Sequence, residues 1–179
     1  MSGLLQTDAA SAEQTHSLHD ERRLIARVLR HWTEMAAGRG FPRLGDIDPW
    51  MVGDDWRNCL LVAVQSPIEC SRFITVGDNL FSESSRLLDG AAIGLCPRDA
   101  LAGVILLHLP EVLTARRCVI AEGTAIHRGG VILYRSALLP LSEDGTIVDH
   151  VLGAANHRAL RRDEAQVPTT KLIWAPPAN

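Results

Sequence analysis

Residues 117–156, "RCVIAEGTAIHRGGVILYRSALLPLSEDGTIVDHVLGAAN", narrow the possible folds more than any other part of the chain. Three apolar segments follow one another there: "RCVIAEGTAIH", "GVILYRSALLPLS" and "TIVDHVLGAAN". Gly129-Gly130 separates the first two and Asp144-Gly145 the last two, and both pairs are hairpin signals because they tolerate the positive φ angles of tight β-turns. Successive hairpins make neighbours antiparallel, since a parallel return needs a crossover of a dozen or more residues.

Two shorter strand candidates stand upstream, "CLLVAVQ" and "SRFITVG", joined by the turn "SPIEC". Between the two groups, from Asp78 to Ala115, the pattern is helical but interrupted at Gly90, Gly94, Pro97 and Pro110, so several short helices are expected. The longest is predicted over Arg98 to Leu109, carrying Leu101, Val104, Ile105, Leu106 and His108, with Pro110 bending or ending it. Ahead of all this, "DERRLIARVLRHWTEMAAGRG" places Leu24, Ile25, Val28, Leu29, Trp32 and Met35 at helical spacing, with arginines facing elsewhere. Asp20 caps that helix, Gly38 and Gly40 end it, and Pro42 prevents its return. Phe41 to Trp56 reads as an irregular connector. The fold class is therefore α+β, a five-stranded antiparallel sheet with a helical insert between the second and third strands, packed on one face.

At 179 residues and 46% hydrophobic, the chain can bury one substantial core. The expected division is a leader over 1–16, an N-terminal helix over 17–40, a domain over 41–157 and a tail over 158–179, in which Leu172, Ile173 and Trp174 can dock on the body or on a partner. A net charge of −3 and scattered arginines leave no footprint for a phosphate backbone, which argues against a nucleic-acid partner. No basic-then-apolar leader and no membrane-length apolar run are present, so a soluble cytoplasmic protein without membrane contact is expected. Cys59, Cys70, Cys96 and Cys118 form no CxxC pair and are expected as buried free thiols.

The order helix, two strands, helical insert, three strands is that of a PAS domain. Together with "IDPWMV", "RFITVGDNL" and "LLPLSEDGTIVDHVLG", it resembles a family of small, stand-alone bacterial PAS proteins common in alphaproteobacteria, over about Leu24 to Asn156. The resemblance implies a non-catalytic sensor or interaction module. Without an output domain, such a module acts in trans on a signalling protein of unknown identity, for example a sensor kinase pathway.

No catalytic constellation emerges from the residues themselves: no GxSxG, no phosphate loop, no HExxH. The pairs Asp46/Asp48 and Asp54/Asp55 lie in turn-rich sequence, where aspartate bonds nearby backbone amides. His16 and His19 lack the further ligands a zinc site needs, and no cofactor is called for. The alternative is a small-molecule or haem sensor. Its cavity would lie between sheet and insert, lined by Phe73, Thr75, Leu80, Phe81, Leu101, Ile105, Ile120 and Tyr134, although close packing favours these residues simply filling the core. Asn79, His108, Tyr134 and Arg135 are the polar groups expected to orient a ligand, and His108 is the candidate haem ligand. Leu24, Val28, Leu29 and Trp32 are the expected interface of a homodimer formed through the N-terminal helix, whose stripe must be covered by its own sheet, a second copy or a partner.

Overall fold

The computed structural model of the chain describes residues 23–47, 53–81, 88–98, 100–160 and 170–174. Helix α1 occupies 23–36, with Leu24, Ile25, Val28 and Trp32 buried and Arg23, Ala26, Arg27, Arg30 and Glu34 exposed, as its periodicity dictates. It stops where Ala37 and Gly38 take φ of 44° and 81°, a left-handed exit. The predicted cap at Asp20 lies outside the described residues. Asp46 then pins the connector: its carboxylate accepts from the Arg43 amide at 2.8 Å and from Arg39 at 2.5 Å. Those contacts, the amide bond first, hold its pKa below the usual carboxylate range.

Six strands follow in one antiparallel sheet: β1 Cys59–Ala63, β2 Arg72–Val76, β3 Val119–His127, β4 Gly130–Leu141, β5 His150–Ala159 and β6 Thr170–Trp174, in the spatial order β2-β1-β5-β4-β3-β6. Five strands were expected. The sixth comes from the segment read as a tail, whose short apolar run pairs with β3 from Gly123↔Thr170 to Val119↔Trp174. β5 also runs past the expected boundary, to Ala159.

The two hairpins differ from their sequence signals in instructive ways. His127 pairs with Gly130, so the first loop is Arg128-Gly129, one residue earlier than the glycine pair suggested. Both loop residues have positive φ, 51° and 74°, as a type I′ turn requires. At Asp144-Gly145 there is no two-residue hairpin, because Leu141 pairs with His150 and the residues between form a wider loop. The Asp144 carboxylate organises it, accepting from the Thr146 and Ile147 amides at 2.7 and 2.8 Å and from the Ser142 hydroxyl at 3.0 Å. An aspartate that folds the backbone around its own side chain competes with a tight turn.

In the insert, the expected long helix is broken into α2 Leu101–Leu106 and α3 Leu109–Ala115. Pro110 does not end the first of these; it sits in the first turn of the second, where a missing amide hydrogen is tolerated. The break falls earlier, at Leu107-His108.

Both faces of the central strands are buried, which a one-sided sheet would not show. Paired antiparallel residues share a face and successive residues alternate. One face therefore carries Leu60, Val62, Leu138, Val151 and Ala155; the other carries Cys59, Leu61, Ala137, Leu139, Leu152 and Ala154. Helix α2 lies across β3, β4 and β5 on the first face. There Gly153 lets Leu60 and Leu138 close over the sheet, since a Cβ would meet the Leu60 side chain at 2.7 Å. Cover for the second face falls to α1 and the connector after it. The Trp32 indole donates to the Pro140 carbonyl at 2.8 Å, Arg27 pairs with Asp55, and the Ser142 amide donates to the Pro42 carbonyl. The apolar residues of both faces and Trp32 belong to one continuous core.

Candidate functional site

The strand registers align two polar rows, one on each face of the sheet. On the insert-facing side, His157 of β5 lies opposite Tyr134 of β4, Tyr134 opposite Gly123 of β3, and Gly123 opposite Thr170 of β6. Gly123 has no side chain. The Tyr134 ring, only 2% exposed, reaches past that position so that its hydroxyl meets the Thr170 hydroxyl at 3.2 Å. Burial raises the phenol pKa, and the bond to Thr170 opposes that rise.

At the hairpin corner of the same face, the His127 and His157 rings meet edge to face at 4.9 Å. The two rings come from strands separated by β4. His127 Nδ1 accepts from the Leu101 amide at 3.3 Å, which fixes the start of α2 to β3. Its Nε2, like His157 Nδ1, is buried without a hydrogen-bond partner among the described residues. The Asn79 main chain lies close enough to favour the His127 proton, yet it makes no bond of acceptable geometry. Burial is the main reason both imidazoles are held neutral. It lowers the His127 pKa, helped by the Arg128 charge, and lowers that of His157 to about 4, helped by His127 and Arg128. Arg128 itself closes the corner, donating to the Phe81 carbonyl at 2.7 Å and to the Asp78 carbonyl at 2.8 Å.

On the opposite face the next row reads Asn156, Arg135, Glu122, Lys171 across β5, β4, β3 and β6. Asn156, Arg135 and Glu122 are partly exposed and Lys171 is exposed, so this end of the sheet is reached by solvent.

The four predicted ligand-orienting residues do not converge. Tyr134 and Arg135 are consecutive on β4 and so point to opposite faces, which bars them from one cavity. Asn79 donates its side-chain amide to Asn58 at 3.0 Å. His108 is the residue before α3, its pKa lowered by burial and raised by Glu111. Of the predicted cavity lining, Phe73, Leu80, Phe81, Leu101, Ile105 and Tyr134 fill the core beneath the insert, with Phe73 and Phe81 edge to face at 6.1 Å. Thr75 pairs with Leu61, and Ile120 with Ala137, so both face the other side of the sheet. A cavity of about 560 Å³ does exist on that side, between β1, β2 and the connector, lined by Leu44, Ile47, Trp56, Leu61, Thr75 and Val76 among others.

Of the expected dimer stripe, Leu24, Val28 and Trp32 are buried in the chain's own core, and Leu29 packs against it. Three cysteines are buried as expected, but Cys70 is exposed. Burial pushes the Cys59 and Cys118 thiols up to about 12, far from a reactive thiolate. Among the described residues no group of three or more His, Cys, Asp or Glu side chains could hold a metal, and no helix is long and apolar enough to cross a membrane.

Sequence reasoning passed over His127 and His157. Their parity with Tyr134 was the available signal. For His127 it depends on the β3–β4 register and for His157 on the β4–β5 register, which the wide loop at Asp144 conceals. Comparison with known proteins gives no matching family model and no matching curated protein.

Proposed function

We propose that the chain is a non-catalytic PAS-type signalling module that acts in trans by protein contact. The observation that carries this reading is the strand order of the sheet. The first strand pairs with the fifth, and the insert between β2 and β3 crosses one face from one side of the sheet to the other. A helix precedes the sheet, as in the PAS order that the sequence resembles. The apolar stripe of α1 serves its own core, so the contact surface on this reading is the solvent-reached row Asn156, Arg135 and Glu122. The buried side chains of the site belong to packing, with imidazoles held neutral and thiols held protonated.

The test combines two measurements on purified full-length protein. Native mass and absorbance are expected to show a colourless chain with nothing bound. Affinity capture from the native cell is expected to return a defined signalling protein that Arg135→Glu loses, with an unchanged circular dichroism spectrum. Turnover of a substrate by the purified chain would overturn the reading, as would capture indifferent to Arg135.

A small-molecule sensor is the second reading, and the cavity beside Leu61 and Thr75 is the observation in its favour. Its ligand would be mainly apolar, with Thr75, Arg57 and Asp78 at the polar margin. Excess native mass lost on Leu61→Trp would select it over the first reading.

A further inference from the structure

The sixth strand is held to the sheet by a pattern specific enough to be a recognition code. Thr170 meets the hydroxyl of Tyr134 across Gly123, and Lys171 stands opposite Glu122. Leu172 stands opposite Ala121, a small neighbour on β3. Thr170, Lys171 and Leu172 are nonetheless exposed, and β6 has β3 as its one ladder neighbour. A strand with one strand neighbour, and three exposed residues in succession, opens at low cost compared with the strands inside the sheet. When it opens, it leaves the amides of an edge strand, a buried tyrosine hydroxyl and a carboxylate facing outward. Those are the requirements for strand addition by an extended peptide.

We propose that the outer edge of β3 is a peptide-docking site, that β6 is its tethered resident, and that the competing occupant is an extended segment of another protein. That segment carries a hydroxyl residue, a basic residue and an apolar residue in succession, matching Tyr134, Glu122 and Ala121. The proposal needs no signalling role; it shares Glu122 with the contact row named above, and its test by peptide uptake is read separately from capture through Arg135.

The tether sets the terms of competition. β6 lies three strand spacings from β5, roughly 14 Å. Residues 160–169 could span about 33 Å at full extension, so the connection reaches without difficulty. A short tether of this kind holds its strand at an effective concentration on the order of millimolar. A free segment at micromolar concentration is therefore excluded until β6 is weakened, which makes the strand a gate as well as a ligand.

The probe is a labelled synthetic peptide with the sequence of residues 167–176, offered to two full-length proteins, the natural chain and a Lys171→Pro variant. The variant removes a ladder donor, because the Lys171 amide faces β3, and with it the charge opposite Glu122, at one exposed position that leaves the body of the sheet alone. The peptide is expected to bind the variant at least about tenfold more tightly than the natural chain, as the loss of a millimolar competitor requires. A peptide carrying Lys171→Glu is expected to bind neither protein. Hydrogen exchange provides the second readout: the β3 amides lose protection in the variant and regain it with the natural peptide. Equal binding to both proteins, or β3 amides that stay protected in the variant, would overturn the proposal. Dimerisation of the variant without peptide uptake would assign the edge to a second copy and overturn the proposed occupant.

Discussion

His157 is neutral in the folded chain because burial, then the charges of His127 and Arg128, bring its pKa from 6.5 to about 4. An unfolded histidine binds its proton near the ordinary value, so between about pH 6.5 and about pH 4 the unfolded state carries more protons than the folded one. Stability is therefore complete above that window and is lost as pH falls through it. His127, lowered for the same first reason, adds to the slope. Urea midpoints are expected to drop steadily from about pH 7 to about pH 5, and His157→Leu to flatten the slope. A midpoint unchanged across that range would contradict the burial seen for the pair. Arg128 presents a second case at this scale, because a non-glycine residue at φ 51° stores strain that its bonds to Phe81 and Asp78 offset. Arg128→Ala keeps the strain and loses the bonds, an expected loss of about 1–3 kcal/mol. Arg128→Gly, which relieves the strain, is expected to lose less, and chemical denaturation of the two variants compares them.

At the scale of elements, α1 was legible in outline, and its stripe turns into the chain's own core. Its spacing identified the buried residues correctly, and the glycine at its end marked the exit. A stripe alone, however, does not say what covers it, and here the sheet's second face does. Trp32 is the anchor, buried and bonded to the Pro140 carbonyl. Trp32→Ala is expected to destabilise the chain by about 3–5 kcal/mol through the cavity left and the carbonyl stranded. Thermal unfolding would register it as a large fall in midpoint. The insert was misjudged differently. Its helical character was readable from Leu101, Ile105 and Leu109, but the place of the break was not. Proline is compatible with both the end of one helix and the start of another, and packing chose the second.

For the whole molecule, depth in the sheet orders local stability. β1, β4 and β5 are flanked on both sides and covered on both faces, whereas β6 has one neighbour. Amide exchange is expected to be slowest in β1, β4 and β5 and fastest in β6, with β2 and β3 between. Uniform exchange across the sheet would mean that the edges open only with the whole fold.

Alternating apolar residues, turn pairs and a helical stripe settled that this chain makes an antiparallel sheet with a helical insert and a helix in front, because those patterns arise from local backbone geometry. Register, facing and company are set elsewhere. Tyr134 and Arg135 were adjacent names until pairing sent them to opposite faces, His127 and His157 lie far apart in sequence and touch in space, and Thr170 became a partner of Tyr134 only when its segment joined the edge. Such contacts depend on how loop lengths position whole strands, and a one-residue shift in any of them would exchange every face.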